Sequence, residues 1–159
     1  MQTFNQSSIN GVRYAAPGLD ELPYVKLQDA IRELKEKPND IMHYYMLNLA
    51  LCNTAMIDVL HPSVEEGIPI FQSESPDEIA LIDAAARCGY VMKSRSADTI
   101  ILSIFGEDQV FRILAVLPFT SDRKRMGVML RSEDNQVILL TKGADEVIYA
   151  RLHPSQTGI

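Results

Sequence analysis

Four apolar runs, the first of them rich in β-branched residues, follow one another through residues 99–105, 110–117, 126–131 and 137–142, with only short polar turns between them. A parallel crossover needs a dozen or more residues, so connections this short make neighbouring strands run antiparallel. Gly106-Glu107-Asp108 closes one hairpin and the polar tip 132–136 closes another. Such a sheet has to bury an apolar face against something, and the helical patterns all lie earlier in the chain. The predicted class is α+β: an antiparallel β-sheet flanked by helices.

The earlier half supplies those helices. Leu27, Ala30, Ile31 and Leu34 recur at helical spacing over 25–36, and Pro38 ends the run. Asp40 is placed to cap a second helix, 41–53, apolar almost all round and so central. Residues 58–70, punctuated by Pro62, Gly67 and Pro69, read as loop. Ser75-Pro76-Asp77-Glu78 is a strong helix start: Ser75 as N-cap, Pro76 at the first helical position and Glu78 completing a capping box. That helix runs to about Cys88, with Gly89 closing it. Asp145 caps a final short helix reaching Leu152. Residues 1–24 lack a sustained period and read as a connecting segment with one short strand, leaving 25–159 as the domain proper.

Composition removes several function classes. A chain of 159 residues with 47% apolar and 23% charged residues is most simply one soluble domain. Its net charge of −6 argues against non-specific nucleic-acid binding. The longest apolar run, 46–51, is a core helix rather than a membrane span, and no signal peptide is present. Cys52 and Cys88 lack CxxC spacing and read as buried, reduced thiols. His43, His61 and His153 are scattered, so no metal site is expected.

The chemistry concentrates in residues 117–126, Leu-Pro-Phe-Thr-Ser-Asp-Arg-Lys-Arg-Met. Pro118 should end the ladder of its strand and leave Phe119 at the sheet's rim. An aromatic ring beside two hydroxyls and three cations suits a flat, anionic ligand such as a nucleotide. Lys142-Gly143-Ala144-Asp145 closes the next apolar run with an ammonium beside a glycine, where a ligand can approach the backbone closely. Each feature also has a bland reading. Cations on a turn are commonly a solvated face, a phenylalanine is commonly core, and a strand-end lysine commonly snorkels. No Walker A motif, GxGxxG or nucleophile elbow occurs, so Gly-rich phosphate cradling is not expected.

Ser75 to Glu78, Phe119 to Met126 and Lys142 to Asp145, in that order, resemble the nucleotide-binding domain of P-type ATPases, specifically the type IV phospholipid flippases. The resemblance covers nearly the whole chain. Phe4 to Tyr14 resembles the flippase segment just after the phosphorylation loop, with Ser7 where cysteine is frequent. Leu49 to Thr54 resembles the flippase Leu-Ala-x-Cys-His-Thr, with Asn53 replacing the histidine. Ser121 stands where cation pumps more often carry arginine, which favours the flippase branch over a cation-pumping P-type ATPase.

The resemblance implies ATP binding through Glu78, Phe119, Ser121 and Lys142. Phe119 stacks on the adenine, Glu78 accepts a hydrogen bond from its exocyclic amine, and Lys142 lines the pocket near the base and the first phosphate. Arg125 and Gly143 rank lower, and Arg123 and Lys124 are mainly structural. Mg²⁺ would be bound mainly by a sibling phosphorylation domain carrying the reactive aspartate. The Asp-Lys-Thr-Gly-Thr signature that should precede Phe4 is not in this sequence, so the fragment alone is expected to be catalytically inactive. A further family arginine lies past the last residue here, so weak ATP affinity is expected. The implied partners are ATP, the sibling phosphorylation and actuator domains, and an accessory subunit, with no nucleic acid. The implied setting is a monomeric, soluble cytoplasmic domain of a multi-pass membrane protein. A competing expectation is a pseudo-module that keeps the fold as a regulatory or scaffold element.

Overall fold

The computed structural model of the chain describes residues 6–9, 12–15, 31, 33, 40–58 and 67–156. Its centre is a five-stranded sheet: β5 (Tyr90–Arg95), β6 (Thr99–Ile104), β7 (Glu107–Thr120), β8 (Arg125–Arg131) and β9 (Val137–Gly143). The strands lie side by side in chain order and every neighbour is antiparallel. The α+β class, the antiparallel sheet and the flanking helices agree with the sequence expectation. Four strands were expected and five are found. The extra one, β5, carries Lys93, Ser94 and Arg95 and a register shift between Met92 and Ser94, which breaks its alternation.

Alternation along the other strands sends one side to a core and the other to the surface. Tyr90 and Met92, Ile100, Leu102 and Ile104, Phe111, Met126, Val128 and Leu130, and Leu140 are all buried. Cross-strand partners such as Ile100 and Phe111, or Val128 and Leu140, fall on this same side. Helix α1 (Asp40–Leu51) packs against α2 (Pro76–Arg87), β5 and β9, and α2 packs on β5. Met46, Ala50 and Leu51 of α1 and Ile82 and Ala85 of α2 are fully buried, so the two helices share the sheet's apolar face. The opposite side leaves Val137 and Leu139 about half exposed.

Smaller elements complete this layer. β1 (Gln6–Ile9) and β2 (Val12–Ala15) form a hairpin, two strands where one was expected, and Ile9 is buried in the core. β3 (Met56–Ile57) pairs with β4 (Phe71–Gln72), so the segment expected to be all loop is bracketed by a two-residue ladder. The helix expected over 25–36 falls largely outside the described residues, although Ile31 and Glu33 are helical and Ile31 is buried. The last helix, α3, is shorter than expected, Asp145–Tyr149, with Ala144 at its N-cap.

Two local expectations are overturned by packing. Pro118 does not end its strand: β7 runs on to Thr120, because Pro118 falls in a register irregularity between Leu117 and Thr120 where the regular ladder is interrupted. The capping box at α2 does not form. Ser75 makes no side-chain cap bond, and the Glu78 carboxylate is engaged elsewhere. Pro76 at the first position and the Ser75 carbonyl, which accepts from the Glu78 amide at 3.1 Å, secure the helix start instead.

Gly89 ends α2 with φ of +89°, as its position after Cys88 requires. A Cβ there would lie 2.8 Å from the Phe105 ring, which itself stacks edge-on against Tyr90. Gly106 has a similar φ of +95° but open space around it. Gly89→Ala should therefore destabilise by about 2–4 kcal/mol, through both strain and overpacking, and Gly106→Ala by only about 1–2 kcal/mol. Urea unfolding of both variants checks the order; equal losses would show that Phe105 yields freely.

Candidate functional site

The candidate site is built where the ends of α1, α2 and β9 converge. The Glu78 carboxylate is nearly buried and meets the Lys142 ammonium at 3.2 Å through Oε1. Its Oε2 accepts three further bonds: from the Thr54 amide and hydroxyl, each at 3.1 Å, and from the Ser73 hydroxyl at 2.8 Å. Thr54 follows the end of α1, and Ser73 lies just before α2. Burial pushes the Glu78 carboxyl up, but the Ser73 hydroxyl, the Thr54 amide and Lys142 together outweigh it and hold the group below its ordinary 4.5. Oε1 carries one donor and keeps a lone pair for another.

Below this pair the floor is also polar and satisfied. Asn53 is fully buried; its amide donates to the Ala50 carbonyl at 2.8 Å, and its Oδ1 accepts from the Ala55 amide and the Arg95 guanidinium. The Cys52 thiol reaches the Leu140 carbonyl at 3.5 Å, and burial pushes it up to about 11. Cys88 is likewise free, buried and raised to about 11 by burial, so both thiols sit in the core as expected.

The other candidates occupy the same end of the sheet without touching Glu78. Lys142 pairs across the ladder with Met126, one row from the Arg125–Gly143 pair. Leu117 pairs with Gly127 and Thr120 with Arg125, so Phe119 falls beside the row of Met126 and Lys142, with β8 between them. At the usual strand spacing the Phe119 and Lys142 backbones stand roughly 10 Å apart. Phe119 is 61% exposed, although Phe71 and Phe111 are buried. Ser121 lies on the exposed turn that follows β7. That turn is shaped by the Lys124 amide donating to the Thr120 carbonyl at 2.7 Å and by a φ of +49° at Lys124.

Gly143 serves the packing of the strand ends. A Cβ there would fall 2.5 Å from the Arg125 Cβ and 2.6 Å from the Lys124 carbonyl oxygen. The Arg125 guanidinium donates to the Arg123 carbonyl, and Lys124 pairs with Glu146 at 2.6 Å. Sequence reasoning gave no site role to Thr54, which closes the 49–54 resemblance and reads there as core, nor to Ser73 and Arg95, isolated polar residues that no local period or motif sets apart.

The pair makes a signed prediction for pH. A carboxyl held below its unfolded value adds stability above about pH 4.5, and that stability is lost as pH falls through the folded value. Glu78→Gln should cost about 1–3 kcal/mol at pH 7. The gap from the native chain should close on acidification, as followed by urea unfolding at a series of pH values. A gap that stays constant down to pH 3 would show that the charge on Glu78 contributes nothing.

Comparison with known proteins gives this convergence a context. The family model described as the P-type ATPase cytoplasmic domain N matches residues 42–154. The chain is 44% identical over 128 residues to phospholipid-transporting ATPase IC of Xenopus tropicalis, covering 80% of this chain and 10% of that protein. It is 35% identical to phospholipid-transporting ATPase FetA of Mus musculus, covering 96% and 14%, and 36% identical to phospholipid-transporting ATPase IK of Homo sapiens, covering 95% and 13%. It therefore spans only 10–14% of the length of these curated relatives. The chain belongs to the P-type ATPase cytoplasmic N-domain family, and within it to the type IV, phospholipid-transporting branch.

Proposed function

We propose that the chain binds ATP at the Glu78–Lys142 convergence and positions it for phosphoryl transfer to an aspartate on a separate phosphorylation domain of a phospholipid-translocating pump. The observation that carries this reading is the buried Glu78 carboxylate, whose Oε1 has one acceptor position left, beside an ammonium whose side chain is 26% exposed and on the same sheet end as an exposed aromatic ring. In this reading Glu78 Oε1 accepts from the adenine amine, Phe119 stacks on the base and Lys142 lies against the base and the first phosphate. Ser121 lines the rim. Gly143 shapes the strand end, and Arg125 adds positive potential near the phosphates. Residues 25–159 act as the nucleotide-binding unit and 1–24 as its connector. Mg²⁺ would accompany the phosphates and be held chiefly by the sibling domain.

This division of labour suits phosphoryl transfer, which asks of a protein mostly positioning and charge stabilisation. The base is anchored by stacking and one carboxylate, leaving the phosphates outward for a partner domain. Stacking contributes roughly 1–3 kcal/mol. With one or two polar contacts added, affinity should lie in the high-micromolar to millimolar range, about −4 to −6 kcal/mol.

A backbone-amide NMR titration with ATP, run in parallel on Phe119→Ala, tests the reading. Saturable shifts should cluster around Glu78, Phe119, Ser121 and Lys142, and the mutant should bind roughly 5–150-fold more weakly, the equivalent of the stacking term. A folded spectrum with no shifts at millimolar ATP would favour a regulatory pseudo-module, and a submicromolar complex would contradict the outward-phosphate geometry.

A further inference from the structure

The Glu78 carboxylate makes its four contacts unevenly: three donors converge on Oε2, and Lys142 reaches Oε1. One of the three is unlike the others. Thr54 and Lys142 come from distant segments, whereas Ser73 lies five residues before Glu78, on the approach to its own helix. The Ser73 hydroxyl accepts from the Ser75 amide at 3.1 Å while it donates to Glu78 Oε2 at 2.8 Å. That amide belongs to the N-cap residue of α2, and Glu78 is the third residue of the helix. These are the two groups that a capping box joins directly. Here a hydroxyl stands between them.

Hydrogen-bond polarity fixes the direction of this relay. An amide N–H only donates, so the hydroxyl takes it on a lone pair. The single hydroxyl proton is then left for an acceptor, and an ionised carboxylate only accepts. Each bond polarises the next, which strengthens both. The relay also governs where the carboxylate sits. A direct bond to the Ser75 amide would draw Glu78 back along the first turn of α2, away from Thr54 and Lys142. Thr54 is exposed, so water can replace Glu78 as the acceptor for its two donors, and they hold the carboxylate out only weakly. Ser73 is half-buried, and its hydroxyl occupies the amide that competes for Glu78.

We propose that Ser73 is a positioning residue for the nucleotide site: by relaying the Ser75 amide to Glu78 Oε2, it keeps Oε1 turned toward Lys142 and an incoming donor. The role in binding rests on the reading of Glu78 as acceptor for the adenine amine. Without the hydroxyl, Glu78 caps α2 directly and leaves the pocket. Loss of Ser73 thus spares the helix start and disables the site.

Amide hydrogen exchange on the native chain, Ser73→Ala and Ser73→Thr separates the two carboxylate positions without any ligand. In Ser73→Ala the Thr54 amide should exchange about 3–10-fold faster, having lost its acceptor, while Glu78 keeps the Ser75 amide protected. Ser73→Thr retains a hydroxyl and should restore the native pattern. ATP affinity should fall about 3–10-fold in Ser73→Ala and return in Ser73→Thr. A merely structural role would lower stability to urea and move neither readout. The opposite exchange pattern, with Ser75 unprotected and Thr54 unchanged, would show that Glu78 holds its place unaided and would overturn the proposal. Native ATP affinity in Ser73→Ala would overturn it too. A native chain that binds no ATP would sink the nucleotide reading, and the exchange pattern would still decide whether Ser73 positions Glu78.

Discussion

The buried carboxylate of Glu78 is the tie on which the described structure depends. An ionised group loses far more on leaving water than one neighbour can restore, so it must be both paired and hydrogen-bonded to persist in the interior. Glu78 meets that demand with four donors drawn from three segments far apart in sequence: Thr54, Ser73 and Lys142. Each donor position is thereby fixed relative to the others. The end of α1, the approach to α2 and the end of β9 are locked together by one side chain. The groups that stabilise the layer contact are also those proposed to meet a ligand.

Strand periodicity then divides the work at this end of the sheet. A shift of one residue along β8 moves from Met126, buried against the helices beside Lys142, to Arg125 on the other face. The close approach of the strand ends depends on Gly143, since any side chain there would strike Arg125 and the Lys124 carbonyl. The irregularity of β7 between Leu117 and Thr120 has a parallel effect: it admits Pro118 and carries an exposed Phe119 beyond the regular ladder.

Much of the fold is legible in local pattern. The runs that become β6 to β9, the bounds of α2 and the left-handed turn at Gly89 follow from alternation, helical spacing and the special backbone freedom of glycine. β5 escaped because its bulge at Lys93 disrupts alternation, and β3 and β4 because a two-residue ladder leaves no period to detect. In the site, Phe119 and Lys142 stand out by position at strand ends and by family resemblance. Ser73 and Arg95 do not, and Thr54 is marked only as the end of a core-like segment, because their role arises only from contacts between distant segments.

Ser75 to Glu78 shows where the boundary lies. The sequence by itself determined that a helix starts there, since Pro76 and the following apolar spacing require nothing distant. It also determined the α+β class, because short connections admit only antiparallel neighbours. The destination of the Glu78 carboxylate was decided by the tertiary structure alone. Locally a capping bond is available, and an exposed helix start would take it. Packing of α2 against α1 and β5 buries the side chain, and there an ammonium, an amide and two hydroxyls stabilise the charge more than one backbone N–H could.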